Sequence, residues 1–100
     1  MSRVELESSL EERCVRRVEA LGGLALKLQI NGTRGFPDRT VLIEGHTIFV
    51  EFKRSKGGVV STQQNRWAER LRDRGFPVYF VDNESSFEHF IQGHLNAQEV

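Results

Sequence analysis

Three side chains with the types and spacing for chemistry stand out: Asp38, then Glu51 and Lys53 within Thr47-Ile48-Phe49-Val50-Glu51-Phe52-Lys53. Side chains alternate along a strand, so Glu51 and Lys53 leave the apolar face carried by Ile48, Val50 and Phe52. A hairpin turning at Gly45-His46, glycine first as a type II′ turn prefers, sets Asp38 opposite Lys53 and Thr40 opposite Glu51. Asp38, Glu51 and Lys53 then converge on one face, at the end of the hairpin away from its turn. Two carboxylates ~5 Å apart at an effective dielectric near 20 repel by on the order of 3 kcal/mol. Lys53 offsets part of that repulsion, and a divalent cation offsets more. Carboxylate oxygens, a backbone carbonyl and several waters suit Mg²⁺ or Mn²⁺ better than zinc. The competing reading is a solvent-facing ion pair; against it, Glu51 and Lys53 interrupt an apolar strand that leads into a glycine-rich loop.

Two helices bring further polar groups. Leu6, Leu10, Cys14, Val18 and Leu21, with Val15, mark the buried stripe of a first helix, and Gly22-Gly23 stops it. Glu12 and Glu19 fall on its wet side, whereas Glu7 and Glu11 fall inside the apolar arc, where a carboxylate needs a partner or a metal. Glu7, near the helix start, can reach solvent; Glu11 is the stronger candidate. In a second helix Gln64 shares a face with Trp67, Ala68 and Leu71, so it either reaches a site or caps a backbone group. Cys14 reads as a small core residue, His46 as a turn residue, and His89 and His94 as solvated. Gly32-Thr33-Arg34-Gly35 is neither a Walker A loop nor a dinucleotide fingerprint, and no Ser/His/Asp arrangement suggests a covalent nucleophile.

The elements that must position these groups follow from hydrophobic periodicity. A helix over residues 1–21 precedes a strand over 24–30 and a loop ending at Phe36-Pro37. Strands 38–44 and 47–53, loop 55–60 and a helix from Ser61 or Thr62 to Arg74 come next. A strand over 77–81, of the kind buried on both faces, and a helix over 84–95 close the order. This predicts one α/β domain over residues 1–100, with an αβββαβ core at about 5–82, a mixed central sheet flanked by helices, and a C-terminal helix. The apolar face of that last helix (Phe87, Phe90, Ile91) packs on its own sheet or serves as a dimer contact.

One hundred residues suffice for one modest core, and 38% apolar with 28% charged residues describe an ordinary globular chain. The single cysteine excludes an intrachain disulfide framework and a cysteine-rich zinc site. No apolar run approaches the ~20 residues that span a bilayer, and the start lacks the apolar stretch of a signal peptide; the expected compartment is the cytosol. Fourteen basic and fourteen acidic residues cancel, which at face value argues against a general nucleic-acid binder. The distribution says otherwise. Residues 51–81 carry seven basic groups against three acidic ones. Arg54 and Lys56 follow the candidate site, Arg34 and Arg39 flank Asp38, and Arg66, Arg70 and Arg74 form a helix stripe that is either solvated or DNA-facing.

The chain resembles the VRR-NUC (virus-type replication-repair nuclease) group of the PD-(D/E)xK nuclease superfamily. The likeness covers about residues 5–82: Leu10-Glu11, Leu21-Gly22-Gly23, Lys27, Gly35-Phe36-Pro37-Asp38-Arg39, Phe49-Val50-Glu51-Phe52-Lys53, Gln64 and Leu71-Arg72-Asp73-Arg74-Gly75. The resemblance implies that Asp38, Glu51 and the Phe52 carbonyl bind a catalytic Mg²⁺ or Mn²⁺, and that Lys53 positions or activates the attacking water. It further implies that Glu11 helps through the metal's water shell or a second metal, and that Gln64 orients the lysine or the scissile phosphate. The expected activity is structure-selective hydrolysis of branched DNA such as four-way junctions, leaving 5′-phosphate and 3′-hydroxyl ends. A homodimer in a bacterial or phage-infected host cytosol would act there, with Arg34, Arg39, Arg54, Lys56 and Arg66 on the DNA. The alternatives are a DNA-binding module of the same fold that does not cut, and an enzyme acting on RNA.

Overall fold

Leu10, Cys14 and Val18 recur every fourth residue and are buried on one side of helix α1, Glu7–Ala20. The computed structural model describes residues 6–96, so the expected helical start over residues 1–5 lies outside the described residues. Strands β1 (Leu24–Leu26), β2 (Arg39–Ile43) and β3 (His46–Phe52) follow, then helix α2 (Thr62–Arg72), strand β4 (Val78–Val81) and helix α3 (Glu84–Asn96). The order is the expected αβββαβ with a C-terminal helix. β1, β2 and β3 pair antiparallel in sequence, and β4 lies parallel to β3. The sheet is therefore mixed, and α2 is the crossover that a parallel pair requires.

The sheet's two faces carry different cores. Val41, Ile43, Ile48, Val50, Phe52 and Val81 pack against Leu10, Cys14 and Val18 of α1 and Phe87 and Ile91 of α3. On the other face Phe49 and Val78 meet Ala68 of α2, with Phe36, Leu71 and Phe80 around them. Alternation along β3 makes this division: even residues go to α1 and α3, odd residues to α2. Glu51, being odd, lies on the α2 face.

Several expectations need correcting. The hairpin turns at Glu44-Gly45, not Gly45-His46: φ is 49° at Glu44 and 77° at Gly45, and Ile43 pairs with His46. Positive φ at both central residues is a type I′ turn, whose twist matches the flanking strands. The ladder runs to Arg39↔Val50, and one further step sets Asp38 against Glu51 instead of Lys53. The displacement keeps parity, so the face of every side chain is unchanged, and Asp38 stands directly opposite Glu51 instead of diagonal to it. β1 stops at Leu26, not residue 30, because β2 offers it partners only from Thr40 to Leu42. β4 is an edge strand, though helices cover both its faces.

Phe87 and Ile91 are 3% and 1% exposed, and Phe90 stacks on Tyr79. The α3 face thus packs on its own core, the first of the two readings. His94 is not solvated: its Nε2 lies 2.7 Å from the Tyr79 hydroxyl. Its ring also meets that of His46, which stands at the start of β3 rather than in the turn. Among the described residues no helix is long and apolar enough to cross a membrane.

Candidate active site

β3 ends where β2 has not yet begun, and that mismatch builds the site. The Phe52 N–H points toward the β2 side of the ladder, and the Asp38 carboxylate accepts it at 2.8 Å. Asp38 thus replaces a strand partner and is anchored by its own side chain. In a strand the N–H and C=O of one residue point the same way, so the Phe52 carbonyl shares the Asp38 side. Glu51 is 5% exposed. Its carboxyl is pushed up to about 7, first by burial and then by the Asp38 carboxylate, against the pull of Lys53. Asp38 is also raised, by burial first, with the Phe52 N–H opposing and Glu11 adding to the rise. A buried carboxyl and a half-buried one that resist sharing two negative charges are a cation's counterpart.

Gln64 ties the far side together. Its Nε2 donates to Glu51 Oε2 at 2.8 Å, and its Oε1 accepts from Lys53 Nζ at 2.7 Å. The same residue completes a capping box: Gln64 N donates to Ser61 Oγ, and Ser61 N donates to Gln64 Oε1. Site and cap were alternatives in the sequence; in the structure one side chain does both, so the end of α2 fixes the lysine. Lys53 Nζ is also 3.7 Å from Glu51 Oε2, a looser contact than its bond to Gln64.

Glu11 stands one step back. Its carboxylate accepts from Arg39 Nε at 2.6 Å, and Arg39 Nη1 donates to the Ala25 carbonyl at 3.1 Å. Arg39, expected on DNA, is therefore occupied in clamping α1 to β1 and β2. Among the described residues no three His, Cys, Asp or Glu side chains gather as a metal-holding group. The donors brought together are two carboxylates and a backbone carbonyl, which fits Mg²⁺ or Mn²⁺. Such ions take one or two carboxylates and fill the rest of the shell with water and phosphate.

Thr40 is a residue that sequence reading missed. It is 6% exposed, and its hydroxyl has no hydrogen-bond partner. It pairs with Phe49, placing it on the α2 face diagonal to Glu51. A buried, unsatisfied hydroxyl beside two carboxylates is suited to a water in a metal's outer shell. A threonine in a strand carries no signal of this in sequence, since its β-branch alone explains it.

The basic residues divide. Arg34, Arg54, Lys56 and Arg66 are exposed, with Arg54 and Lys56 in the loop after Lys53. Arg74 donates to the Arg70 carbonyl at the end of α2 and Arg72 to the Val78 carbonyl, so neither is a free stripe member.

No protein-family model matches the chain. The nuclease-named protein p44 of Acyrthosiphon pisum secondary endosymbiont phage 1 is 38% identical over 79 residues, 78% of this chain and 84% of that protein. A solved VRR-NUC domain superposes with a TM-score of 0.79 at 34% identity, covering 86% of this chain and 94% of that one.

Proposed function

The chain belongs to the VRR-NUC nuclease family, and on that premise we propose that it is a Mg²⁺- or Mn²⁺-dependent DNA endonuclease acting on branched DNA. The observation that carries this reading is the Asp38–Glu51 carboxyl pair beside a lysine held by Gln64. Asp38, Glu51 and the Phe52 carbonyl would hold the metal, and Glu11 and Thr40 would bind waters beside it. The ion supplies charge neutralisation at the phosphate and lowers the pKa of water. Lys53 presents its ammonium to the attacking water and to the oxygens on which negative charge grows. Gln64 keeps that ammonium aimed, and Arg39 holds Glu11 in place. Water adds to phosphorus and passes a proton to bulk solvent, while the bond to the 3′ oxygen breaks and that oxygen takes up a proton from solvent, leaving 5′-phosphate and 3′-hydroxyl ends. Arg34, Arg54, Lys56 and Arg66 take the DNA backbone, and the place of action is a bacterial or phage-infected host cytosol.

Paired cuts across a junction call for two sites related by a two-fold axis. Support for a dimer comes from the bare half of the sheet. Leu24, Leu26 and Leu42 are 56%, 38% and 37% exposed on the α2 face, and β1 is an open edge. A second copy meeting this edge covers them.

The test is a labelled four-way junction incubated with Mg²⁺. Cutting is expected in the wild type, lost with EDTA, and reduced at least about 100-fold in Asp38→Ala and Lys53→Ala. Cutting that survives both substitutions sinks the assignment. Junction binding without cutting under any divalent metal favours a non-cleaving module, and preferential cutting of RNA moves the substrate.

A further inference from the structure

A second basic feature lies beside the site and plays no part in metal binding. Arg34, Gln63, Arg66, Trp67, Glu69 and Arg70 line a surface cavity of about 320 Å³. Three guanidinium groups against one carboxylate make it anion-selective. None of the described ion pairs uses Arg34, Arg66 or Arg70, whereas Arg13, Arg17 and Arg39 each hold a glutamate.

The cavity is built, not merely exposed. The Arg70 guanidinium carbon sits 4.3 Å from the Trp67 ring centre, a cation–π contact that restrains a long side chain. Trp67 in turn meets the edge of Phe36, with centroids 5.3 Å apart. The loop bearing Arg34 is seated on the first turn of α2. A Cβ on Gly35, whose φ is +90°, would lie 2.7 Å from the Gln63 carbonyl carbon. That loop continues through Phe36-Pro37 to Asp38, and α2 carries Gln64. The two elements that wall the cavity therefore also carry Asp38 and Gln64 of the candidate active site, whose Glu51 and Lys53 come from β3 and its end. From Gln64 to Arg70 the helix rises about 9 Å, so the cavity lies within reach of a phosphate near the one being cut on the same strand.

We infer that Arg34, Arg66 and Arg70, backed by Trp67, form a second phosphate-binding subsite. It grips a phosphate of the DNA strand close to the one being cut. The inference rests on the endonuclease reading and deepens it. One phosphate held by three guanidiniums sets the strand's register on the enzyme without reading its sequence.

The test is cleavage kinetics of the full chain with Mg²⁺, for wild type, Arg66→Gln, Arg70→Gln and their double variant. Arg16→Gln, on the opposite face of the sheet, controls for the change in net charge. KM is expected to rise about tenfold for each subsite arginine, the scale of one charged hydrogen bond, with kcat little changed. The slope of log KM against log salt falls by about one in total when the subsite no longer neutralises its single phosphate. A single neutral methylphosphonate walked along the strand reproduces the loss at one position in the wild type and adds nothing in the double variant. Trp67 is the only tryptophan, so its emission reports occupancy directly and changes when DNA is added. The subsite is overturned if the double variant loses no more than Arg16→Gln, or if it keeps the wild type's methylphosphonate profile. A wild type that cuts no DNA overturns the endonuclease reading instead. In that case a Trp67 response to DNA that Arg66→Gln and Arg70→Gln abolish still upholds the subsite, and its absence overturns it.

Discussion

Glu51 is the side chain under most electrostatic stress among those that form the site. Its carboxyl titrates up at about 7, from burial first and Asp38 second, against roughly 4.3 for a free glutamate. The folded state therefore binds this proton more tightly than the unfolded chain does. Its contribution to stability is full below the unfolded value and is lost as pH rises through about 7. Metal-free protein is expected to melt several degrees lower at pH 8 than at pH 5.5. Glu51→Gln should flatten that dependence, and Mg²⁺ should raise the pH 8 melting temperature of wild type but not of Glu51→Gln. Calorimetry with and without EDTA checks both. Gln64 allows a second separation. Gln64→Glu keeps a capping-box residue but sets a third carboxylate against Glu51, so cutting should fall at least tenfold with little loss of α2 stability. Gln64→Ala should lose cutting and about 1 kcal/mol of stability together. Cutting left intact by Gln64→Glu would mean that the residue's role is the cap alone.

At the scale of elements, the site is an agreement between the ends of β3, the β2 entry and the first turn of α2. The loop from 31 to 37 enforces it, because Gly35 brings backbone against Gln63. Gly35→Ala meets both a crowded Cβ and a positive φ, and is expected to cost about 1–3 kcal/mol. It should also raise KM for DNA, since Arg34 and Asp38 move with the loop. A denaturant melt and a cleavage assay on one preparation test the linkage; unchanged KM in a destabilised protein would separate the loop from the site. α1 is joined through Glu11 and Arg39, and Arg17 pairs with Glu88 of α3 at 2.7 Å. The latter pair is exposed and contributes little. The former is mostly shielded, so it locates Glu11 more firmly.

At the scale of the whole molecule, zero net charge conceals an uneven field. Residues 82–100 hold four acidic groups and no Lys or Arg, and the described part of that stretch, ending in α3, packs on the sheet face opposite the site. The basic groups gather around α2 and the two loops beside it. Modest affinity with strong salt dependence follows. The bare leucines of β1 and β2 make the remaining prediction. Leu26→Arg should turn a dimer into a folded monomer in light scattering, while single-site metal binding persists. A monomeric wild type at micromolar concentration would remove the dimer from the account.

Much of this is legible in the order of residues alone. Hydrophobic periodicity gives the element order because helices and strands bury one face each at fixed spacing. The parity of alternation puts Asp38, Glu51 and Lys53 on one face even with the turn misplaced, since moving both strands by one position leaves every side chain on its own side. The order and spacing of Asp38, Glu51-Phe52-Lys53 and Gln64 carry the family resemblance. What tertiary structure alone decided were contacts between residues distant in sequence. Asp38 faces Glu51 because two positive φ angles close the turn at Glu44-Gly45. Arg39 belongs to Glu11 and not to the solvent because the fold brings α1's Glu11 carboxylate to its guanidinium. The Thr40 hydroxyl is stranded because the fold buries the residue to 6% exposure and sets no hydrogen-bond partner beside it. Residue type and local spacing determine faces and element order; only packing determines which neighbour a polar group finds and whether water can reach it.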